Sequence, residues 1–222
     1  IYIIDGFNKN FDVVDISSPS APERKYSAAI TCCADDIDIN GNYVYIANWY
    51  GFDIYDISTP PTPQPKGSYS TVTKNVYEIK SYLDYVYLMV EQKGLRVIDV
   101  SDPDNPVKTG GADISEPPEH IFPGGDYIYV PNGTLDIYDV TDPASPSLAG
   151  TYIPIYGANH AWAGNNRGYL ATSGGLEIID LSDPASPSYS SGYGNSSGYY
   201  RVFVKDDFAY MTGENGLHVI DI

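Results

Sequence analysis

Leu135-Asp136-Ile137-Tyr138-Asp139-Val140-Thr141-Asp142-Pro143 decides the fold, because the chain repeats this pattern along its whole length. An apolar residue opens the stretch, an alternating segment follows, and Asp-Val-Thr-Asp-Pro closes it. Copies read FDVVDISSP from Phe11, FDIYDISTP from Phe52, LRVIDVSDP from Leu95, LEIIDLSDP from Leu176 and LHVIDI from Leu217 to Ile222. The marker aspartates Asp15, Asp56, Asp99, Asp139, Asp180 and Asp221 fall 41, 43, 40, 41 and 41 residues apart. A fixed period of this size marks one supersecondary unit used repeatedly.

Each repeat reads as four short strands with no helical periodicity. Asp36 to Asn40 alternates polar and apolar residues, the signature of a half-buried strand. Asn40-Gly41 reads as a tight hairpin turn whose two central residues take positive φ. Tyr43 to Asn48 is a second strand, rich in aromatic and β-branched residues. Gly51 turns into a third, Phe52 to Ser58. Pro60-Pro61-Thr62-Pro63 makes a rigid corner, and a polar fourth strand runs from about Lys66 to Thr71, as suits an outer edge. Later corners read SDPDNP, TDPASP and SDPASP. There Asp and Ser or Thr hydrogen-bond nearby amides while proline presets φ.

Four-stranded units at this period predict an all-β fold, a β-propeller of six repeats of roughly 41 residues over 1–222 as one domain, with five to six four-stranded blades and incomplete terminal blades. Blades that pack on neighbours through both faces explain why the second and third strands are apolar throughout. The competing architecture, a sandwich of repeats, needs one wet face per strand.

The pattern YVYIAN…GFDIYDISTPPTP, and its copies up to GYLATSGGLEIIDLSDPASP, resembles the LVIVD repeat. That resemblance covers nearly the whole chain. It implies the β-propellers of bacterial and archaeal secreted and cell-surface proteins, and it brings no shared catalytic motif.

With strands lettered A to D outward, as the resemblance suggests, the chain opens on B (Ile1 to Ile4), C (Phe11 to Ile16) and D (Pro22 to Ile30). It closes on A (Tyr199 to Lys205), B (Phe208 to Thr212) and C (Leu217 to Ile222). Six full repeats would need about 246 residues, so one A and one D strand are short. Three readings are open: the missing residues lie outside this sequence; the first D strand closes the last blade and leaves Ile1 to Ile16 over; or neighbouring copies share strands by β-augmentation. A head-to-tail contact that does not close gives a filament. No signal peptide is legible. An opening at Ile1 in mid-strand, without Met, reads as a processed product or a segment of something longer.

Net charge is −17, from 29 acidic and 12 basic residues. That balance argues against nucleic acid and anionic lipid as partners. It suits solubility, divalent cations or a basic partner. No apolar run approaches the ~18 residues of a membrane span, so no membrane insertion is expected. The only cysteines, Cys32 and Cys33, are adjacent. They read as two buried thiols, a vicinal disulfide or bridges to a neighbouring chain.

Nine residues before Tyr45, Tyr87, Tyr129, Tyr169 and Tyr210 stand Asp36, Glu78, His120, His160 and Arg201. On the innermost strands these five form a candidate ring around a channel. The ring is either a collar of hydrogen bonds and ion pairs or a metal or ligand site. Asp36-x-Asp38-x-Asn40-Gly41 also matches the opening of a calcium loop, although Ala47 stands where a bidentate Glu belongs. Calcium is thus the one cofactor with any motif behind it. No G-x-S-x-G elbow is present, and acidic pairs such as Asp35/Asp36 and Asp206/Asp207 are what any acidic surface offers. Asn132 and Asn195 head glycosylation sequons.

These features predict a non-enzymatic extracellular or cell-surface module, a subunit of a filamentous assembly joined to copies of itself through open blade edges. The alternatives are a hydrolase or lyase acting on polysaccharide, and a ligand- or calcium-binding domain of a larger surface protein.

Overall fold

The computed structural model describes residues 1–5, 9–30, 34–71, 75–114, 120–194 and 198–222. The chain divides into two compact units, Ile1–Pro117 and Pro118–Ile222. Among the described residues every regular element is a strand.

The first unit holds three antiparallel sheets. One is β1 (Tyr2–Asp5), β2 (Asn10–Asp15) and β3 (Glu23–Ala29). Next come β4 (Ala34–Asn40), β5 (Tyr43–Asn48), β6 (Gly51–Asp56) and β7 (Gln64–Ser70), then β8 (Val76–Tyr82), β9 (Tyr85–Val90), β10 (Gly94–Asp99) and β11 (Val107–Ala112). The second unit holds β12 (Phe122–Gly124), β13 (Tyr127–Asn132), β14 (Thr134–Asp139) and β15 (Ser147–Tyr152). These are followed by β16 (Ala158–Gly164), β17 (Arg167–Thr172), β18 (Gly175–Asp180) and β19 (Ser188–Gly194), and by β20 (Tyr199–Lys205), β21 (Phe208–Gly213) and β22 (Gly216–Asp221). Every sheet is a meander in chain order. The strand lettering read from the sequence holds throughout: β1–β3 lack an A strand and β20–β22 lack a D strand among the described residues.

Two expectations are corrected. Strand β3 pairs with β2 from Asn10↔Ala29 to Asp15↔Glu23, so Ile1 to Ile16 belong to a sheet of their own and β3 is committed to it. The hairpin after β4 turns on Gly41 and Asn42, one step beyond the Asn40-Gly41 pair. Asn40 stays paired with Tyr43 in the ladder, and Gly41 alone takes positive φ (58°) at the first loop position, as a type II′ turn asks.

The core lies between blades. In the first unit Tyr45, Phe52 and Ile54 of one blade pack on Ile79, Val86 and Leu88 of the next. In the second unit Tyr129, Leu135 and Ile137 pack on Ala161, Ala163 and Leu170, and Tyr169, Leu176 and Ile178 on Val202, Val204 and Met211. Burying each large side chain contributes about 1.5–3 kcal/mol. This accounts for second and third strands that are apolar on both faces.

The Asp-Pro corners are built locally, as the sequence predicts. The carboxylates of Asp15, Asp56, Asp99, Asp139 and Asp180 each accept the backbone N–H two residues on, at 2.8 Å in all five. In two places such a corner seats on the D strand of the preceding blade. Gly67 N–H donates to the Pro103 carbonyl at 2.9 Å, and a Cβ on Gly150 would lie 2.3 Å from the Pro184 carbonyl oxygen.

Candidate functional site

The A strands carry the residues singled out as a ring, and a bulge sets their placement. Register slips between Ala34 and Asp36 in β4, Val76 and Glu78 in β8, Ala158 and His160 in β16, and Tyr199 and Arg201 in β20. Each ring residue is thus the first paired one after a bulge, which bends the strand and re-aims its side chains. His120 holds the corresponding position just ahead of the short β12.

In the first unit the two acidic ring residues share one lysine. Lys80 Nζ lies 3.1 Å from both Asp36 and Glu78. Burial works against its charge, but Glu78 and Asp36 outweigh burial and hold the ammonium above its usual value. Asp36 also accepts Ile79 N–H at 3.1 Å, Asp38 accepts from Ser81, and Asn40 donates to the Leu83 carbonyl at 2.7 Å. Asp36, Asp38 and Asn40, the candidate calcium ligands, therefore form a row of hydrogen bonds from β4 to β8.

The second unit carries two imidazoles and a guanidinium at this position. The rings of His120 and His160 lie 5.1 Å apart, and His160 Nδ1 accepts Val202 N–H at 3.5 Å. Arg201 and His120 line a cavity with Asn132, Asn159 and Tyr200. Among the described residues no group of three or more His, Cys, Asp or Glu side chains is arranged to hold a metal ion.

Asn132 is exposed at the end of β13. Cys32, Cys33 and Asn195 lie outside the described residues. Sequence reasoning missed Lys80, although it stands two residues after Glu78 on one strand face. It also missed Glu177, a buried carboxylate that accepts from Tyr152 Oη at 2.9 Å and Ile155 N–H at 3.1 Å.

The terminal blades carry a second feature. Phe203, Tyr210 and Val219 stand directly opposite one another across β20, β21 and β22. Leu217 is 66% exposed and Val219 55%. At the same register positions Phe11, Phe52, Leu95, Leu135 and Leu176 are at most 2% exposed, and Val13, Ile54, Val97, Ile137 and Ile178 at most 8%. On β1, Ile3 is exposed where Ile46, Leu88, Val130, Leu170 and Met211 are buried. The sheet β20–β22 therefore presents an uncovered apolar row, and on β1–β3 Ile3 stands exposed opposite Asp12.

A family model described as LVIVD repeat matches the chain six times, over residues 1–29, 33–71, 75–114, 121–153, 161–194 and 199–222. The chain belongs to the LVIVD-repeat family. No curated protein matches this LVIVD-repeat chain. Solved structures do. A functionally unknown protein from Desulfotomaculum acetoxidans is 11% identical with a TM-score of 0.80, over 100% of this chain and 78% of its own. The β-propeller domain of Cps50 (Swd1) from Myceliophteria thermophila is 10% identical with a TM-score of 0.71, over 97% and 77%. The computationally designed Ika8 protein is 10% identical with a TM-score of 0.79, over 100% and 67%. At such identity they speak for the fold alone, and that fold is the β-propeller.

Proposed function

We propose that this LVIVD-repeat chain is a non-enzymatic interaction module, a subunit of an extracellular or cell-surface assembly that joins copies of itself through its terminal blades. The observation that carries this reading is the exposed face of β20–β22. Leu217 and Val219 stand open to solvent at positions that every other repeat buries. Within each unit, faces of this kind are covered by the following blade. The occupant in this reading is the face of β1–β3 on a second copy, where Ile1 and Ile3 are exposed beside the Asp12–Arg24 pair.

Every described A and D strand is already hydrogen-bonded in its own sheet. Copies therefore meet through faces, and neither lends a spare strand. A head-to-tail contact of this kind propagates as long as it does not close into a ring. The charge of −17 on each copy opposes contact, and salt screens that repulsion over about 8–10 Å.

Sedimentation velocity across a salt series, with electron microscopy of the same samples, tests the reading. Wild type should associate into regular chains, more so as NaCl rises, and Val219→Glu should stay monomeric with an unchanged circular dichroism spectrum. Monomers at every salt and protein concentration would overturn it, as would chains that Val219→Glu leaves intact.

A further inference from the structure

The second unit contains a cavity of about 480 Å³ whose lining includes His120, Asn132, Asn159, Tyr200 and Arg201. Its walls are held by backbone. Gly133 and Ala158 exchange hydrogen bonds of 3.1 and 2.9 Å, tying the β13–β14 hairpin tip to the start of β16. Asn159 Nδ2 donates to the Tyr199 carbonyl at 2.7 Å, which fixes its amide. Tyr200 and Arg201 are consecutive, yet both line the cavity. On a regular strand they would face opposite sides, and the bulge between Tyr199 and Arg201 removes that alternation.

Two arginines elsewhere in the chain are spent on ion pairs. Arg24 faces Asp12 at 3.6 Å and Arg96 faces Asp113 at 2.7 Å, as expected where 29 acidic residues outnumber 12 basic ones. Arg201 has no ion-pair partner among the described residues, and none of the described lining residues is acidic.

We infer that this cavity binds a small polyhydroxylated anion, a sugar acid or a sugar phosphate. The planar guanidinium of Arg201 matches a carboxylate or phosphate with two parallel donors. Asn159, whose Nδ2 is held by the Tyr199 carbonyl, turns an amide of fixed orientation toward the cavity, where its oxygen can accept from a hydroxyl group. Tyr200, 53% exposed, supplies an amphipathic surface for the sugar body. The volume falls within the range of small-ligand sites, about 300–1,000 Å³. Arg201 shares a cross-strand row with Thr212 and Leu217, but sugar binding is read directly, so its failure and the failure of the assembly reading are distinguishable.

Isothermal titration calorimetry with galacturonate, galactose 1-phosphate and galactose tests it, on wild type, Arg201→Gln and Arg24→Gln. One or both charged sugars should bind at least tenfold more tightly than galactose, and which of them does identifies the anion. Binding should weaken with added NaCl. Arg201→Gln should lose at least tenfold for the charged sugar, while Arg24→Gln keeps the wild-type affinity. Equal binding of galactose, an Arg201→Gln affinity equal to wild type, or no heat from any of the three at millimolar concentration would each overturn the assignment.

Discussion

Asp38 and Ser81 form a two-donor clasp between β4 and β8. One carboxylate oxygen of Asp38 accepts the Ser81 backbone N–H at 2.6 Å and the Ser81 hydroxyl as well. The two residues lie 43 positions apart, one repeat, so the clasp joins equivalent strands of consecutive blades. Ser81→Ala removes one donor from a half-buried carboxylate and should cost about 1–3 kcal/mol in urea unfolding. A midpoint equal to wild type would mean that water replaces the hydroxyl without loss.

Burial raises the Asp38 carboxyl above its ordinary value, with the Ser81 hydrogen bonds pulling the other way. A raised folded value favours the protonated native form. Its contribution is full below the ordinary 3.8 and is lost as pH rises through the folded value. Asp38→Asn keeps an acceptor oxygen without the charge. It should be more stable than wild type at pH 7, and the advantage should shrink as pH falls through the raised value. A difference independent of pH would show that desolvation does not govern this residue.

The corner aspartates run in the opposite direction. Asp15, Asp56, Asp139 and Asp180 are held below the usual carboxylate value by the residue two places on. The backbone N–H leads at Asp15 and the Ser or Thr hydroxyl at the other three. Their contribution is present above 3.8 and is lost as pH falls through the lowered values. Replacing Asp139 and Asp180 together by Asn should flatten the acid side of the stability-versus-pH curve. An acid limb as steep as that of wild type would discount these turns as the source of acid lability.

Gly150 has no room for a side chain, because a Cβ there would meet the Pro184 carbonyl oxygen at 2.3 Å. Gly150→Ala must push the corner of the next blade away and should cost about 1–3 kcal/mol. Gly198→Ala is the control, since its nearest neighbour would be Glu214 Oε1 at 3.9 Å. Equal melting temperatures for the two variants would remove the corner seat from the list of stabilising contacts.

Much of this was legible because the repeat is local. Alternation marked the strands, and Asp-Pro marked the corners. Counting A to D located the incomplete blades before any coordinates did. The turn at Gly41–Asn42 escaped by one residue, because Asn-Gly fits two registers and only the ladder to Tyr43 chooses between them. Alignment on the B-strand tyrosines found the five ring positions, but not what each touches. Lys80 between Asp36 and Glu78, and Tyr200 turned into the cavity beside Arg201, depend on a neighbouring blade and on a bulge. Neither leaves a periodic trace in one chain.

The bulge on the A strands has a consequence for how such proteins diversify. Outward from it, every strand repeats the same spacing and must keep fitting its neighbours. At it, the chain places Asp36, Glu78, His160 and Arg201 in one geometric slot. The slot accepts an acid, an imidazole or a guanidinium with no change in the pairing that follows. The bulge thus works as an interchangeable socket on a standard frame, and the recognition chemistry of a repeat can be rewritten one blade at a time while the scaffold that carries it stays the same.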